Sequence, residues 1–284
     1  MLPFHLRDIA GERVPPIVLA SPHSGTHYPD SFLADVAPGR LALMRAEDRF
    51  VDMLVSRTAE QLDLPLLTAV FGRTYIDLNR DPTELDPLIL TGAPRFKLSE
   101  RVRAGLGVLP RVATPGVAIY RGPLRLEEAY RRIVEVHEPY HRQLATLLAR
   151  ARGANGYAVL IDCHSMPSLP PRQGQAGAAM VIGDRNGMSS DPRIGDWLQT
   201  LLERDFRTAR NAPYAGGYST EYHGNPALGT HAVQLEIDRS LYLDPASLSP
   251  NGNFTTTEAS IRAALTRLLS RLRTDFSSLR QAAE

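Results

Sequence analysis

Short apolar runs that read as buried strands alternate along this chain with stretches of helical periodicity, and this alternation restricts the available folds more than any other feature. Ile17–Ala20 is one such run, ending in the turn-rich segment 21–25. Apolar residues Leu43, Phe50, Val51, Leu54, Val55 and Leu62 fall at helical spacing and predict a helix over 43–62. Residues 66–71 and 75–79 predict strands, the second with strict alternation. The longest helical stretch covers 124–151, followed by a buried strand over 157–164 whose last residues turn polar. A strand over 178–182 and a helix over 194–202 come next, then a glycine-rich loop over 213–229. An alternating strand over 232–238 and an amphipathic helix over 256–279 close the chain. Such a succession predicts an α/β fold of three α/β/α layers, with a mixed, mostly parallel central sheet. No repeat or Gly/Ser-rich linker marks a boundary, so residues 1–284 are expected to form one domain.

Composition removes several function classes. The 284 residues are 43% apolar and 22% charged, enough to bury a sizeable core. Lys+Arg number 32 against Asp+Glu 31, which gives no electrostatic reason to expect nucleic acid or an acidic membrane surface as partner. The longest apolar runs are far too short to span a bilayer. Residues Met1–His5 lack a basic segment leading into an apolar one, which predicts no signal peptide and a cytoplasmic location. Cys163 is the lone cysteine, so no intramolecular disulfide framework exists.

Open α/β sheets bind ligands beyond the carboxyl ends of their strands, and four segments place polar residues there. His23 follows the first strand; a histidine there can cap a helix or meet a backbone carbonyl, but it is also a natural metal ligand. Asp162 and His164 share one face of their strand, while Cys163 faces the other way. A thiol on the opposite face cannot be activated by that histidine, so Cys163 reads as a small buried hydrophobe. Asp162 and His164 suit a metal ligand with a carboxylate behind it that orients the ring.

Asp77 and Asn79 lie on one face of the segment 73–80. Arg73 with Asp77, or Arg80 with Asp81, makes an ordinary solvated ion pair on the plain reading. The sharper reading is a clamp, in which a guanidinium fork grips a substrate carboxylate beside the Asn79 amide. Gln234, Glu236 and Asp238 line the face opposite Val233, Leu235 and Ile237. They form either an exposed sheet face or, in a doubly covered sheet, a desolvated site where a glutamate serves as general base. Catalytic zinc commonly takes two histidines and a carboxylate, and Glu47, Asp48 and Asp52 are all candidates for the carboxylate.

One motif points elsewhere. Residues 137–141 match the H-E-x-x-H pattern of zinc proteases. That motif needs an intact helix, and Pro139 stands between the two histidines, at a cost of about 3 kcal/mol or more in a straight helix. His137 also falls on a mostly apolar stripe with Tyr130, Ile133, Tyr140 and Leu144. The protease reading is set aside, and His141 is left with a polar contact.

The segments Ser-Pro-His-Ser-Gly at 21–25, Glu-Asp-Arg-Phe-Val-Asp at 47–52, Tyr-Ile-Asp-Leu-Asn-Arg-Asp-Pro at 75–82 and Asp-Cys-His-Ser-Met at 162–166 together resemble the N-formylglutamate amidohydrolase family. Residues 211–218 and 234–244 extend the resemblance, in order, over most of the chain. It implies a zinc-dependent hydrolase that releases formate and glutamate from N-formyl-L-glutamate, late in histidine breakdown. Alternatives of the same machinery are a deacylase of another N-acyl amino acid and a non-catalytic metal- or amino-acid-binding protein.

A more distant likeness, to aspartoacylase and the zinc carboxypeptidases, implies a zinc-exopeptidase/phosphorylase-like fold and a set of roles. His23, His164, the pair Asn79 and Arg80, and Glu236 match in order, and Arg73 stands close to where a second substrate arginine is found. Those enzymes place a Glu three residues after the first histidine, whereas Thr26 occupies that position here. The carboxylate ligand must come from elsewhere, and the formylglutamate-family pattern points to Asp48. The resemblance thus implies one zinc ion, or another divalent metal, on His23, Asp48 and His164, with Asp162 behind His164. Glu236 is the expected base; Arg73, Asn79 and Arg80, with Tyr218 and His223 from the glycine-rich loop, are the expected contacts of a small-molecule substrate.

Overall fold

The computed structural model describes residues 1–9, 11, 14–92, 98–171 and 177–276. In chain order the elements begin with β1 (Phe4–Arg7), β2 (Ile17–Ser21), α1 (Asp30–Asp35), α2 (Arg40–Ala46), α3 (Val51–Gln61) and β3 (Leu66–Ala69). Then come β4 (Leu90–Thr91), α4 (Glu100–Arg103), β5 (Val112–Thr114), β6 (Val117–Ala118), β7 (Leu124–Arg125), α5 (Leu126–Arg132) and α6 (Glu138–Asn155). The rest are β8 (Ala158–Met166), β9 (Met180–Gly183), α7 (Pro192–Leu202), β10 (Thr208–Arg210), α8 (Tyr218–His223), β11 (Thr230–Asp238) and α9 (Phe254–Arg271). By its contacts the chain divides into two compact units. The first comprises Met1–Leu6, Ser21–Arg49 and Leu67–Leu144; the second comprises Arg7–Ala20, Phe50–Leu66 and Ala145–Glu284.

The second unit carries the strands β2, β8, β11, β9 and β10 side by side in that order. β8 runs parallel to both β2 and β11, β9 is antiparallel to β11, and β10 is parallel to β9. This is the mixed, mostly parallel α/β sheet that the alternation predicts. All nine residues of β8 are buried, as a continuous apolar run followed by Asp162, Cys163 and His164 requires. α3 and α9 pack on each other, α3 also meets β8, and α7 meets β9 and α9. α8 packs against β8 and β11. Each Leu, Ile or Val buried this way stabilises the fold by about 1.5–3 kcal/mol.

The first unit is built differently. β1 neighbours β3, and two short ribbons, β4 with β7 and β5 with β6, stand apart from them. Arg132, 3% exposed, lies with its guanidinium 4.2 Å from the Tyr75 ring centroid and donates to the Tyr75 carbonyl. Such a cation over an aromatic face fixes the segment leading to Asp77.

Four expectations are corrected. The helix over 43–62 is two helices, because Glu47 is extended and Phe50 takes a left-handed backbone at φ 62°. Residues 75–79 are not a strand. Asp77 takes the N–H of Asn79 on its own carboxylate at 2.9 Å, a local turn bond that competes with any ladder. The glycine-rich segment 213–229 is not all loop, since α8 and a 3-10 turn over Pro226–Leu228 lie within it. Finally, the chain stays helical through Pro139. A π-helical turn over Ile133–His137, closed by the Glu138 N–H on the Ile133 carbonyl, widens the helix just where proline's ring crowds the preceding turn. Residues 277–279 of the helix expected at the end of the chain lie outside the described residues. Among the described residues no helix is long and apolar enough to cross a membrane.

Candidate functional site

In the first unit the chemistry gathers on His23, which is 2% exposed. Its Nδ1 lies 3.3 Å from Oδ2 of Asp48, and its Nε2 lies 2.7 Å from Oδ1 of Asp77. The Asp48 N–H donates to the His23 carbonyl at 2.9 Å, so the break between α2 and α3 is what turns this carboxylate toward the ring. Arg73 donates to Oδ2 of Asp77 at 2.7 Å. Burial alone would raise the Asp77 carboxyl, but Arg73 and the His23 ring outweigh it and hold the group well below the usual carboxylate range. A carboxylate on one ring nitrogen fixes the tautomer and presents the other nitrogen as a metal donor.

The neighbouring acid behaves otherwise. Glu47 accepts from the Tyr28 hydroxyl at 2.8 Å and from Arg49 at 2.7 Å, and burial pushes its pKa up. Of the two adjacent acids, Asp48 faces His23. Asp52 stands on α3, in the second unit.

Arg80 and Asn79 follow Asp77 in a buried turn. Arg80 donates from Nε to the Leu106 carbonyl and from an η nitrogen to the Asn79 carbonyl, both at 2.9 Å. Burial lowers the Arg80 pKa, with Asp77 opposing the shift. The H-E-x-x-H histidines hold this turn. Their rings are 4.4 Å apart, with Nε2 of His137 donating to the Arg80 carbonyl at 2.9 Å and Nε2 of His141 to the Leu78 carbonyl at 2.8 Å. Their role is to position the backbone of residues 78–80, and it is these bonds, not a helix break at Pro139, that account for them.

In the second unit, the parallel register sets Glu236 beside His164 and Gln234 beside Asp162. Oδ2 of Asp162 lies 2.9 Å from Nε2 of His164, the arrangement expected of a ligand and its orienting carboxylate. Cys163 is fully buried and its thiol is pushed up by burial and by Asp162, which leaves it an unreactive hydrophobe. Tyr218 opens α8 and His223, 7% exposed, closes it. The Tyr218 ring stacks on Tyr222 at 5.2 Å, and Tyr222 meets His223 edge-on at 4.9 Å. The residues expected to come from a loop therefore stand on a short helix packed on the sheet.

Compared with known proteins, residues 15–243 match the family model described as N-formylglutamate amidohydrolase. The chain belongs to the N-formylglutamate amidohydrolase family. It is 30% identical over 237 residues to the N-formylglutamate deformylase of Pseudomonas aeruginosa, spanning 81% of this chain and 82% of that protein. A second N-formylglutamate deformylase, from Pseudomonas putida, is 29% identical over 234 residues, with 81% of this chain and 82% of the relative covered. Among solved structures, the N-formylglutamate amidohydrolase of Ralstonia eutropha JMP134 is 31% identical with a TM-score of 0.88, covering 96% of this chain and 99% of that one. A gene product of Agrobacterium tumefaciens, 17% identical with a TM-score of 0.69 and covering 97% of this chain and 95% of that one, shares the fold.

Membership of the N-formylglutamate amidohydrolase family makes this chain a hydrolase acting on an amide bond. Among the described residues, the buried group His23, Asp48 and His164 could hold a metal ion. Two imidazoles and one carboxylate are the donor set of many catalytic zinc sites, so the residues fit the group the family implies. The sequence reading pairs Asp77 with Arg73 and stops there. Its bond to His23 leaves no mark on periodicity.

Proposed function

We propose that this protein cleaves the formamide of N-formyl-L-glutamate to formate and L-glutamate, with one divalent metal ion held by His23, Asp48 and His164. The observation that carries the reading is the pairing of a buried two-histidine, one-carboxylate donor group with membership of a family whose relatives bear that activity in their names. Zinc is the proposed metal because its borderline-soft character suits this donor set. When bound, it supplies Lewis acidity, polarising a carbonyl and lowering the pKa of water to about 7.

The chain's own residues do the rest. Asp77 and Asp162 hold His23 and His164 in orientation. Glu236, on the face it shares with Gln234, takes a proton from the attacking water and returns it to the leaving amine nitrogen. Arg73, Asn79 and Arg80 bind carboxylate oxygens of the glutamate moiety, with Tyr218 and His223 closing on the substrate. Formation of a carboxylate product and an ammonium product balances the consumption of one water. The substrate is a small N-acyl amino acid. The proposed setting is the cytoplasm, in histidine breakdown.

Metal analysis of purified protein, with activity measured before and after chelation and on restoring zinc, tests the metal reading. A panel of N-formyl-glutamate, N-formyl-aspartate and N-acetyl-glutamate tests the substrate. The expected result is chelator-sensitive turnover with the highest kcat/KM on N-formyl-glutamate. Turnover indifferent to chelator, or a preference for another acyl amino acid, would overturn the corresponding half.

A further inference from the structure

We infer that Gln234 is a positioning residue for Glu236, fixing which oxygen of that carboxylate handles the proton and tying it to the start of α8. The inference rests on the general-base role proposed for Glu236. Three groups of the second unit form the chain of bonds. The backbone N–H of Gly217, the residue before α8, donates to Oε1 of Gln234 at 2.8 Å. Nε2 of Gln234 then donates to Oε1 of Glu236 at 2.7 Å. Gln234 is 4% exposed and Glu236 7%, so both bonds lie away from bulk water.

The polarity of this chain follows from its first member. A backbone N–H can only donate, so the atom it meets on Gln234 must be the amide oxygen. That settles the amide's orientation, which heavy-atom positions alone leave open. The amide NH2 can only donate in turn, so Oε1 of Glu236 is held as an acceptor whether the carboxyl is ionised or not. A proton gained by Glu236 therefore resides on Oε2.

Two glycines show that the backbone is shaped for this contact. Gly183 on β9 is the register partner of Gln234, and a Cβ there would lie 2.6 Å from the Ala215 carbonyl carbon. Only glycine lets the segment entering α8 approach the sheet so closely. Gly216 sits at φ 128°, where a Cβ would meet Oγ1 of Thr220 at 2.5 Å. With these two positions open, the Gly217 N–H comes within reach of Gln234. Placement of α8, with Tyr218 and His223, and orientation of the base thus become one event. An unanchored carboxylate samples several rotamers, and misplacement of about 1 Å can cost roughly 100-fold in rate.

The test is a double-mutant cycle on the metal-loaded protein, with N-formyl-glutamate as substrate and metal content and thermal melting recorded alongside. Gln234→Met removes the acceptor for Gly217 and the donor to Glu236 at similar volume; Gln234→Leu removes both with a shorter side chain. Either is expected to lower kcat by roughly 10–100-fold with KM changed less than about 2-fold, while metal content holds. In a Glu236→Gln background, the same substitutions are expected to lower the remaining rate by less than about 2-fold, a coupling that a merely structural role would not produce. If Glu236→Gln alone keeps full turnover, the base assignment fails and the inference falls with it. If Glu236→Gln is inactive but folded Gln234 variants keep wild-type kcat, only the inference about Gln234 is overturned. An experimental structure of the unmutated protein with Gln234 Nε2 beyond hydrogen-bond distance of Glu236 would overturn it without any variant.

Discussion

His23 and Asp77, 54 residues apart in the chain, meet at 2.7 Å in the first unit, with the carboxylate on the ring nitrogen opposite Asp48. The second unit repeats the device within one strand, where Asp162 meets His164 at 2.9 Å. Carboxylates in this position raise the basicity of a ligand imidazole and fix its tautomer, and their loss typically weakens metal binding by 10–100-fold. Asp77→Asn and Asp162→Asn are each expected to show a loss on that scale in a competition titration against a chromophoric chelator. Wild-type affinity in both variants would remove the orienting role.

The two adjacent acids after α2 are expected to separate cleanly. Asp48→Asn should purify with little bound metal, because the substitution removes the proposed carboxylate ligand. Glu47→Gln should keep its metal and its turnover, since Glu47 turns to Tyr28 and Arg49 and an amide oxygen can still accept from the Tyr28 hydroxyl. Elemental analysis of the two proteins side by side decides the matter. Metal retained by Asp48→Asn and lost from Glu47→Gln would reverse the assignment.

Glu236→Gln preserves shape and removes the proposed base. Proton transfer by a positioned side chain is worth about 10²–10⁴ in rate, so kcat should fall by that factor with bound metal unchanged. Steady-state kinetics combined with metal content reads both quantities. A fall in metal content equal to the fall in rate would instead make Glu236 part of the metal's support.

The α7 helix offers a stability test away from the site. Asp191 caps it, accepting from the Arg193 N–H at 3.0 Å and from the Arg193 guanidinium. The Arg193 side chain lowers the Asp191 pKa below its ordinary 3.8. A depressed folded pKa means the stabilisation is complete above the unfolded value and is lost as pH falls through the folded one. Asp191→Ala is expected to cost about 0.5–2 kcal/mol at pH 7, and the difference should shrink below about pH 4. Urea unfolding at several pH values measures it, and a difference independent of pH would show that the charge plays no part.

Much of the sheet is legible in the sequence because burial in a doubly covered sheet demands uninterrupted apolar runs. β2, β8 and β11 fall where such runs predict them, and strict alternation puts Asp162 with His164 and Gln234 with Glu236 on shared faces. Alternation misled at residues 75–79, whose apolar side chains are buried as in a strand while the Asn79 N–H goes to a side chain. Periodicity reports which side chains are buried and is silent on where backbone donors go.

By itself, then, the sequence determined the α/β class, the strands that bear His164 and Glu236, and, through ordered motifs, the family. Tertiary structure decided that helix 43–62 breaks to aim Asp48 at His23, that Asp77 holds His23, and that His137 and His141 serve carbonyls of the 78–80 turn. It also decided that a glycine-rich loop carries α8 and reaches Gln234. The reason is physical: apolar burial is written in local spacing, whereas hydrogen-bond partners many residues away are chosen only once packing has brought them together.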